Sequence, residues 1–116
     1  MSERPTCVWI GESNTKYTYE IWELPVSFKP DQYGNYIYSK KNTEGKWVPI
    51  YIGEGDLAVR VSENHHQATC IKSKGATHVH VHLNSDEKAG KAEESDLLAR
   101  HTNAYKPNGC NEKSGG

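Results

Sequence analysis

The sequence predicts a single α+β domain built on a small, mainly antiparallel sheet flanked by helices. Its 116 residues suffice for one hydrophobic core, and 34% hydrophobic with 25% charged residues is typical of a folded domain. Segments rich in aromatic and β-branched residues alternate with segments of helical periodicity. Strands are predicted at Cys7–Ile10, Tyr17–Leu24, Asn35–Ser39, Trp47–Ile52 and His78–Leu83.

Each strand prediction has a local reason. Aromatic and β-branched residues alternate with polar ones in Tyr17–Leu24, which favours a strand. Asn35–Ser39 and Trp47–Ile52 flank a polar stretch with a turn signal, Asn42–Lys46, so we expect a hairpin. His78–Leu83 alternates strictly between histidine and an aliphatic residue, the periodicity of a strand.

Two helices are predicted from their caps. Asp56 follows a Glu-Gly turn and resembles an N-cap, and apolar residues near helical spacing predict a helix over Leu57–Ala68. Ser85 is expected to cap a second helix that runs to about His101, with acidic residues in the first turn, where the helix dipole favours them.

Charge sets a limit on nucleic-acid binding. The formal net charge is −1, whereas a domain that grips duplex DNA through many phosphates is usually basic. This balance counts against tight, autonomous DNA binding. A local basic face remains available from Lys40, Lys41, Lys46, Arg60, Lys72, Lys74, Lys88 and Lys91.

The compartment is predicted from apolar runs and cysteines. No apolar run approaches the roughly 20 residues of a membrane helix, and the first residues lack the apolar stretch of a secretory signal. Cys7, Cys70 and Cys110 are odd in number and widely spaced, which argues against a disulfide framework and for a reducing compartment. We therefore expect a cytoplasmic protein that does not bind a membrane.

Two tyrosines and one glutamate are the first candidates for chemistry. Tyr36 and Tyr51 would lie on neighbouring strands of the hairpin, so their phenols can reach one point. Glu94 precedes Leu97 and Leu98 by three and four residues, which places it beside the buried stripe of its helix. A carboxylate there needs a compensating partner, because an unpaired buried charge is costly.

The partner of Glu94 has two readings. A salt bridge to Arg60 or Arg100 is the structural one. A hard cation is the functional one, since a single carboxylate with waters and a substrate phosphate suffices for Mg²⁺. Arg60 likewise reads either as a solvated helix residue or as a planar donor for a phosphate oxygen.

Five segments, in order, resemble the motifs of the GIY-YIG nucleases. A lone Tyr-Ile-Gly carries little weight, whereas five ordered elements are fairly specific. The resemblance spans residues 34–111, so 1–33 is expected to be an N-terminal β extension packed on this domain and 112–116 a disordered tail. The segments are Gly34-Asn35-Tyr36, Tyr51-Ile52-Gly53, Leu57-Ala58-Val59-Arg60, Glu94-Ser95-Asp96-Leu97-Leu98 and Pro107-Asn108-Gly109-Cys110-Asn111.

The resemblance implies a three-stranded core and a metal-dependent DNA endonuclease that hydrolyses phosphodiester bonds. It implies one Mg²⁺ or Mn²⁺ on Glu94, with Tyr36 or Tyr51 orienting or deprotonating the attacking water. Arg60 would stabilise charge on the phosphorane-like transition state, and Asn111 would contact a phosphate or fix a tyrosine. DNA specificity would have to come from the N-terminal strands, a homodimer or a recruiting protein partner.

The sequence departs from the family pattern in the longer Tyr36–Tyr51 connection, in the extended Glu94–Asn111 interval and at three further places. Asn35 stands where the first motif usually has an apolar residue. The family often has His or Tyr one helical turn after the arginine, where this chain has Asn64, so the role is carried to the adjacent His65. The turn Glu54–Asp56 is short and brings acidic residues near the expected phosphate site.

The strand histidines are a separate candidate. His78, His80 and His82 share one face of their strand, and neighbouring pairs at this spacing can ligate a transition metal such as zinc. In the alternative, the aliphatic residues Val79, Val81 and Leu83 form the core face and the imidazoles line a partly wet one. A phosphate-facing role is a third reading, because a cationic imidazole can meet an anion.

Two further functional hypotheses therefore accompany the nuclease. One is a nuclease-fold module that binds nucleic acid or protein without turnover, favoured by the acidic turn and the negative net charge. The other is a zinc-binding structural domain built on the strand histidines.

Overall fold

The computed structural model describes residues 4–112, which form one five-stranded sheet with helices on both faces. The strands are β1 (Thr6–Ile10), β2 (Lys16–Glu23), β3 (Tyr33–Lys41), β4 (Trp47–Asp56) and β5 (His78–Leu83). The helices are α1 (Leu57–Arg60), α2 (Ala68–Ser73) and α3 (Glu87–Arg100), and Thr102–Ala104 forms a 3₁₀ turn. The predicted α+β class is confirmed.

The sheet is antiparallel throughout, in the order β1-β2-β5-β3-β4. The predicted hairpin forms from β3 and β4, with Tyr38 opposite Tyr51 and Tyr36 opposite Gly53. An irregularity between Tyr38 and Ser39 shifts the strand register in the part of the hairpin next to its connecting loop. Since side chains alternate along a strand, Tyr36, Tyr38 and Tyr51 share one face of the sheet.

Each face of the sheet carries its own hydrophobic cluster. The tyrosine face packs against α1, α2 and the segment before β3, and the opposite face packs against α3. The first cluster contains Tyr36, Tyr38, Ile50, Leu57, Val61, Ile71, Val79, Val81 and Cys110. The second contains Trp9, Tyr19, Ile37, Ile52, Leu97 and Ala104.

The N-terminal strands belong to this same sheet. β2 pairs with β5, with Glu20 opposite Val81 and Trp22 opposite Val79, and β1 pairs with the outer edge of β2. β5 therefore lies between the N-terminal strands and the β3–β4 hairpin. Most of the predicted tail, residues 113–116, lies outside the described residues. No helix within residues 4–112 is long and apolar enough to cross a membrane.

The first helix prediction is wrong in its length. Asp56 is the N-cap, as expected, and its side chain accepts from the Ala58 N–H. The helix stops at Arg60, because Ser62 offers the backbone other bonds. Its hydroxyl donates to the Val59 carbonyl and accepts from the Asn64 N–H. Such side-chain hydrogen bonds compete with continued helix, and α2 starts only at Ala68.

Two details of the second half also differ from expectation. Asp86 rather than Ser85 caps α3, by accepting from the Lys88 N–H, and the helix ends at Arg100. Val79 and Val81 are buried as predicted, but Leu83 is 53% exposed, because it lies at the end of β5 beyond the packed helices.

The expectation that the cysteines stay unpaired is wrong. Cys70 on α2 and Cys110 in the C-terminal loop form a disulfide with a sequence separation of 40, and Cys7 is free. Wide sequence spacing did not prevent pairing, because the chain returns to α2 after α3. The prediction of a reducing compartment loses this support.

Candidate active site

Five predicted site residues come together beside the β3–β4 hairpin. A cleft of about 470 Å³ is lined by Tyr51, Glu94 and Asn111, together with residues from the α2 approach and the C-terminal loop. Tyr36 and His65 lie directly behind Tyr51. The additional lining residues are His66, Gln67, Ser95, Leu98, Ala99, Tyr105 and Glu112.

Tyr36 is buried and held by the hairpin. Its side chain is 1% exposed, and its ring stacks on that of Tyr51 with centroids 6.0 Å apart and planes at 20°. The cross-strand partner of Tyr36 is Gly53, where a Cβ would lie 2.5 Å from the phenol. Gly53 is therefore required by the ring that covers it. Burial raises the pKa of Tyr36 well above its usual value.

His65 fixes the direction of the hydrogen bonds around Tyr36. The Gln67 N–H donates to His65 Nδ1 at 2.9 Å, and His65 Nε2 lies 2.8 Å from the Tyr36 hydroxyl. Burial lowers the pKa of His65 to about 4, with smaller contributions from His66 and Arg60, so the ring is neutral at pH 7. A neutral imidazole whose Nδ1 accepts must carry its proton on Nε2. His65 therefore donates to the Tyr36 oxygen.

This arrangement leaves the Tyr36 hydroxyl proton available to Tyr51, whose ring stacks on that of Tyr36. The Tyr51 pKa is raised, chiefly by burial and by Glu94, while Arg60 and a hydrogen bond from Tyr36 lower it. The donor chain thus runs from Gln67 through His65 to the Tyr36 oxygen, next to the stacked Tyr51 ring. Tyr51 is only half-buried and lines the cleft, so its oxygen, unlike that of Tyr36, can meet a solvent molecule.

Glu94 lines the cleft but is not the buried acid of α3. The neighbouring Glu93 is 4% exposed and accepts hydrogen bonds from Tyr19 Oη at 2.6 Å and from His82 Nδ1 at 2.9 Å. Glu94 is half-buried, on the next position around the helix. Helical spacing to Leu97 and Leu98 did not separate two adjacent glutamates, since both lie three or four residues from one of these leucines.

The negative charge of the Glu94 carboxylate is not balanced by a bonded partner within residues 4–112. Among the described residues it has no hydrogen bond and no salt bridge within 4.0 Å, so neither predicted pairing, with Arg60 or with Arg100, forms. Burial, followed by repulsion from Glu54, raises its pKa to about 7, although Arg60 and Lys91 act in the opposite direction. The site would gain from a positive charge at this carboxylate.

Arg60 and Glu54 face the site from the end of the hairpin. Arg60 is exposed but lies over Gly55, where a Cβ would come within 2.7 Å of Nε. Its charge lowers the pKa of Tyr36, Tyr51 and Glu94. Glu54 accepts a hydrogen bond from the Tyr33 hydroxyl. The turn predicted at Glu54–Asp56 is wrong, because these residues continue β4, with Glu54 opposite Asn35 and Asp56 opposite Tyr33. Glu54 nevertheless acts on Glu94, so an acidic residue does lie near the site.

Asn111 is a backbone clamp. Its side-chain carbonyl accepts from the Ile52 N–H at 2.8 Å, and its amide donates to the Ile52 carbonyl at 2.9 Å. With both groups in use, the side chain has little left for a phosphate. The clamp holds the residue that follows Tyr51, so its effect is on the position of that tyrosine.

Asn35, the departure in the first motif, has a structural reason. Its amide donates to the Gly90 carbonyl of α3 at 2.8 Å. A Cβ at Gly90 would lie 2.8 Å from the Tyr33 ring. The amide thus ties β3 to a helix that approaches it closely.

Sequence reasoning gave little weight to His66, and the structure brings it to the cleft. The His66 ring stacks on that of His65, with centroids 4.5 Å apart, and its Nε2 lies 3.4 Å from the Tyr51 oxygen. Its position next to His65 was the available signal.

The three strand histidines are held by separate neighbours. His80 is fully buried, accepts from Trp9 Nε1 at 2.9 Å and lies 3.0 Å from the Ser39 hydroxyl. The expected partly wet face is therefore wrong at its centre, where β1 and β2 extend the sheet and bury His80, whereas His78 and His82 stay half-buried. Burial, with a smaller contribution from His78, lowers the His80 pKa to about 4. No group of three potential ligands in the described part of the chain could hold a metal ion.

Comparisons with family models, with curated proteins and with solved structures find no match to this chain.

Proposed function

We propose that this protein is a metal-dependent DNA endonuclease of the GIY-YIG type, which hydrolyses phosphodiester bonds. The observation that carries the proposal is the convergence of Tyr36, Tyr51, His65, Arg60 and Glu94 around one cleft. These residues are far apart in sequence, and four of them occupy the positions that the motif resemblance assigns. The fold supplies the antiparallel hairpin and the helix that such a site needs.

Glu94 fits a hard divalent cation. It is a half-buried carboxylate without a bonded partner among residues 4–112, and its raised pKa reflects burial and a second acid nearby. Oxygen ligands, waters and a substrate phosphate can complete a Mg²⁺ or Mn²⁺ site around a single carboxylate. When bound, the cation would supply positive charge that neutralises the phosphate and favours ionisation of nearby phenols.

Tyr51 is assigned as the phenol that faces the attacking water. Tyr36 is 1% exposed and is held by its bond to His65 and by stacking on Tyr51. Tyr51 borders the cleft, and Tyr36 and Arg60 both lower its pKa, so they favour negative charge on its oxygen. Tyr36 and His65 act through Tyr51, as positioning residues.

Arg60 has two effects in this scheme. Its charge lowers the Tyr51 pKa, which favours the phenolate that can take a proton from water. Its planar, exposed guanidinium can also donate to a non-bridging phosphate oxygen, where negative charge grows in the transition state.

A nicking assay on supercoiled plasmid with Mg²⁺ or Mn²⁺ tests the proposal. Wild type should nick, and Glu94→Ala should abolish nicking. The matched control is Glu87→Ala, an exposed glutamate on the same helix, which should retain activity. Tyr51→Phe should lower the rate about 10²–10⁴-fold, the usual contribution of an acid–base group.

Two results would overturn the nuclease proposal. Equal trace activity in wild type and Glu94→Ala would show contamination rather than catalysis. Salt-sensitive DNA binding that survives Glu94→Ala, with no metal-dependent cleavage by wild type, would favour the binding module instead.

A further inference from the structure

Four lysines lie in a continuous series that begins at the rim of the cleft; we call Lys40, Lys72, Lys74 and Lys106 the lysine ridge. Lys106 follows the cleft residue Tyr105. The amine of Lys74 donates to the carbonyl of Pro107 at 2.6 Å, and the amine of Lys40 donates to the carbonyl of Lys74 at 2.8 Å. Lys72 lies on the exposed side of α2, two residues before Lys74.

The ridge is poorly compensated by acids. Within the part of the chain that the structure describes, only Lys106 has a carboxylate within 4.0 Å, that of Glu112 at 3.3 Å, and both side chains are well exposed. Lys40 and Lys74 are held by main-chain carbonyls, which leave their positive charges unneutralised. An exposed pair such as Lys106–Glu112 contributes little and is readily exchanged for another anion.

The acidic end of β4 acts on the Glu94 part of the cleft. Glu54 lies at the end of β4 and raises the pKa of Glu94, so its charge reaches the cleft, and Asp56 follows in the same strand. The cleft therefore has the acidic end of β4 acting on Glu94 and the lysine ridge beginning next to Tyr105. A polyanion at the cleft is attracted along the ridge and repelled by the acidic end of β4.

We infer that the lysine ridge is the track for the DNA backbone on one side of the scissile phosphate. The path runs from the Glu94 cleft over the C-terminal loop to α2 and β3, and away from the acidic end of β4. The chain has a net charge of −1, so most of its basic residues are not expected to bind phosphate. The four lysines of the ridge make the phosphate contacts, while Lys88 and Lys91 on α3 do not. The inference rests on the proposed function for its ligand.

Binding without turnover provides the test. A fluorescein-labelled 20-base-pair duplex is titrated in EDTA with wild type, with Lys72→Glu/Lys106→Glu and with the control Lys16→Glu/Lys88→Glu. Both variants change the net charge equally. We expect about 10- to 100-fold weaker binding for the ridge variant at 50 mM salt, and a salt slope smaller by about 2, since each phosphate contact contributes about 0.9. The control should stay within about threefold of wild type.

Lys72 and Lys106 are chosen because their loss removes no bond to a main-chain carbonyl in the described residues, and equal melting temperatures verify the fold. Equal losses in ridge and control variants, or no loss in the ridge variant, would overturn the inference. If wild type cleaves while the ridge variant binds normally, the ridge assignment fails and the nuclease stands. If the ridge variant alone loses binding and wild type never cleaves, the ridge stands and the nuclease fails.

Discussion

Replacing Glu94 with glutamine should stabilise the folded protein above neutral pH and have little effect in acid. The carboxylate and the amide have nearly the same shape, so the change removes a charge without opening a cavity. Burial and repulsion from Glu54 raise the folded-state pKa from 4.5 to about 7, despite Arg60 and Lys91. Since the folded state binds the proton more tightly, ionisation of Glu94 opposes folding.

The pH window follows from these values. Below pH 4.5 the residue is protonated in both states and the wild type pays no penalty. Between pH 4.5 and about 7 the penalty grows, and above 7 it is complete. The full shift corresponds to at most about 3.4 kcal/mol, at 1.36 kcal/mol per pKa unit. Because the side chain keeps contact with solvent, we expect about 1–2 kcal/mol.

Urea denaturation at pH 4.5 and pH 8.0, in EDTA, measures this difference. The control is Glu87→Gln, which removes an exposed carboxylate paired with Lys91 at 3.3 Å and should change stability by less than about 0.5 kcal/mol. The reasoning is refuted if Glu94→Gln is no more stable than wild type at pH 8.0, or if its advantage is the same at both pH values. Other titrating groups are shared by the two proteins and cancel in the comparison.

Three further predictions concern buried groups of the fold. His80→Ala should lower the free energy of unfolding in urea by about 2–4 kcal/mol, because an indole and a hydroxyl lose their partner. The control His78→Ala should lower it by less than about 1 kcal/mol. Similar values for both would contradict the hydrogen-bond network around His80. Reducing the Cys70–Cys110 disulfide should cost about 3–4 kcal/mol, as expected for a loop of 40 residues, and an unchanged melting temperature with dithiothreitol would show that the bond is absent. Gly53→Ala should cost about 1–3 kcal/mol, because the new methyl group meets a phenol at 2.5 Å; wild-type stability in calorimetry would mean that the ring is free to move.

The strands could be predicted from the sequence because the patterns that indicate them are local. Alternation in His78–Leu83 predicted β5 to the residue, and the turn between the two tyrosine segments predicted the hairpin. The order of the strands was not predictable in this way. β5 enters between β2 and β3, which depends on packing of both sheet faces rather than on any segment alone.

The candidate site shows where local reasoning ends. Spacing suggested one helix over Leu57–Ala68, but Ser62 terminates it after Arg60 and the chain turns to bring His65 onto Tyr36. Helical periodicity placed a glutamate beside the core and could not decide between Glu93 and Glu94. The choice depends on which carboxylate Tyr19 and His82 can reach, a contact across the sheet.

The disulfide makes a covalent ring of the chain from Cys70 to Cys110. The ring contains β5, the central strand, and α3 with Glu94, while Tyr51 lies on the part of the chain that enters it. A protease that cuts one peptide bond between residues 71 and 109 would therefore release no fragment, and the two pieces would migrate as one species until a reductant is added. The integrity of the cleft then depends on the redox state of its surroundings more than on an unbroken backbone.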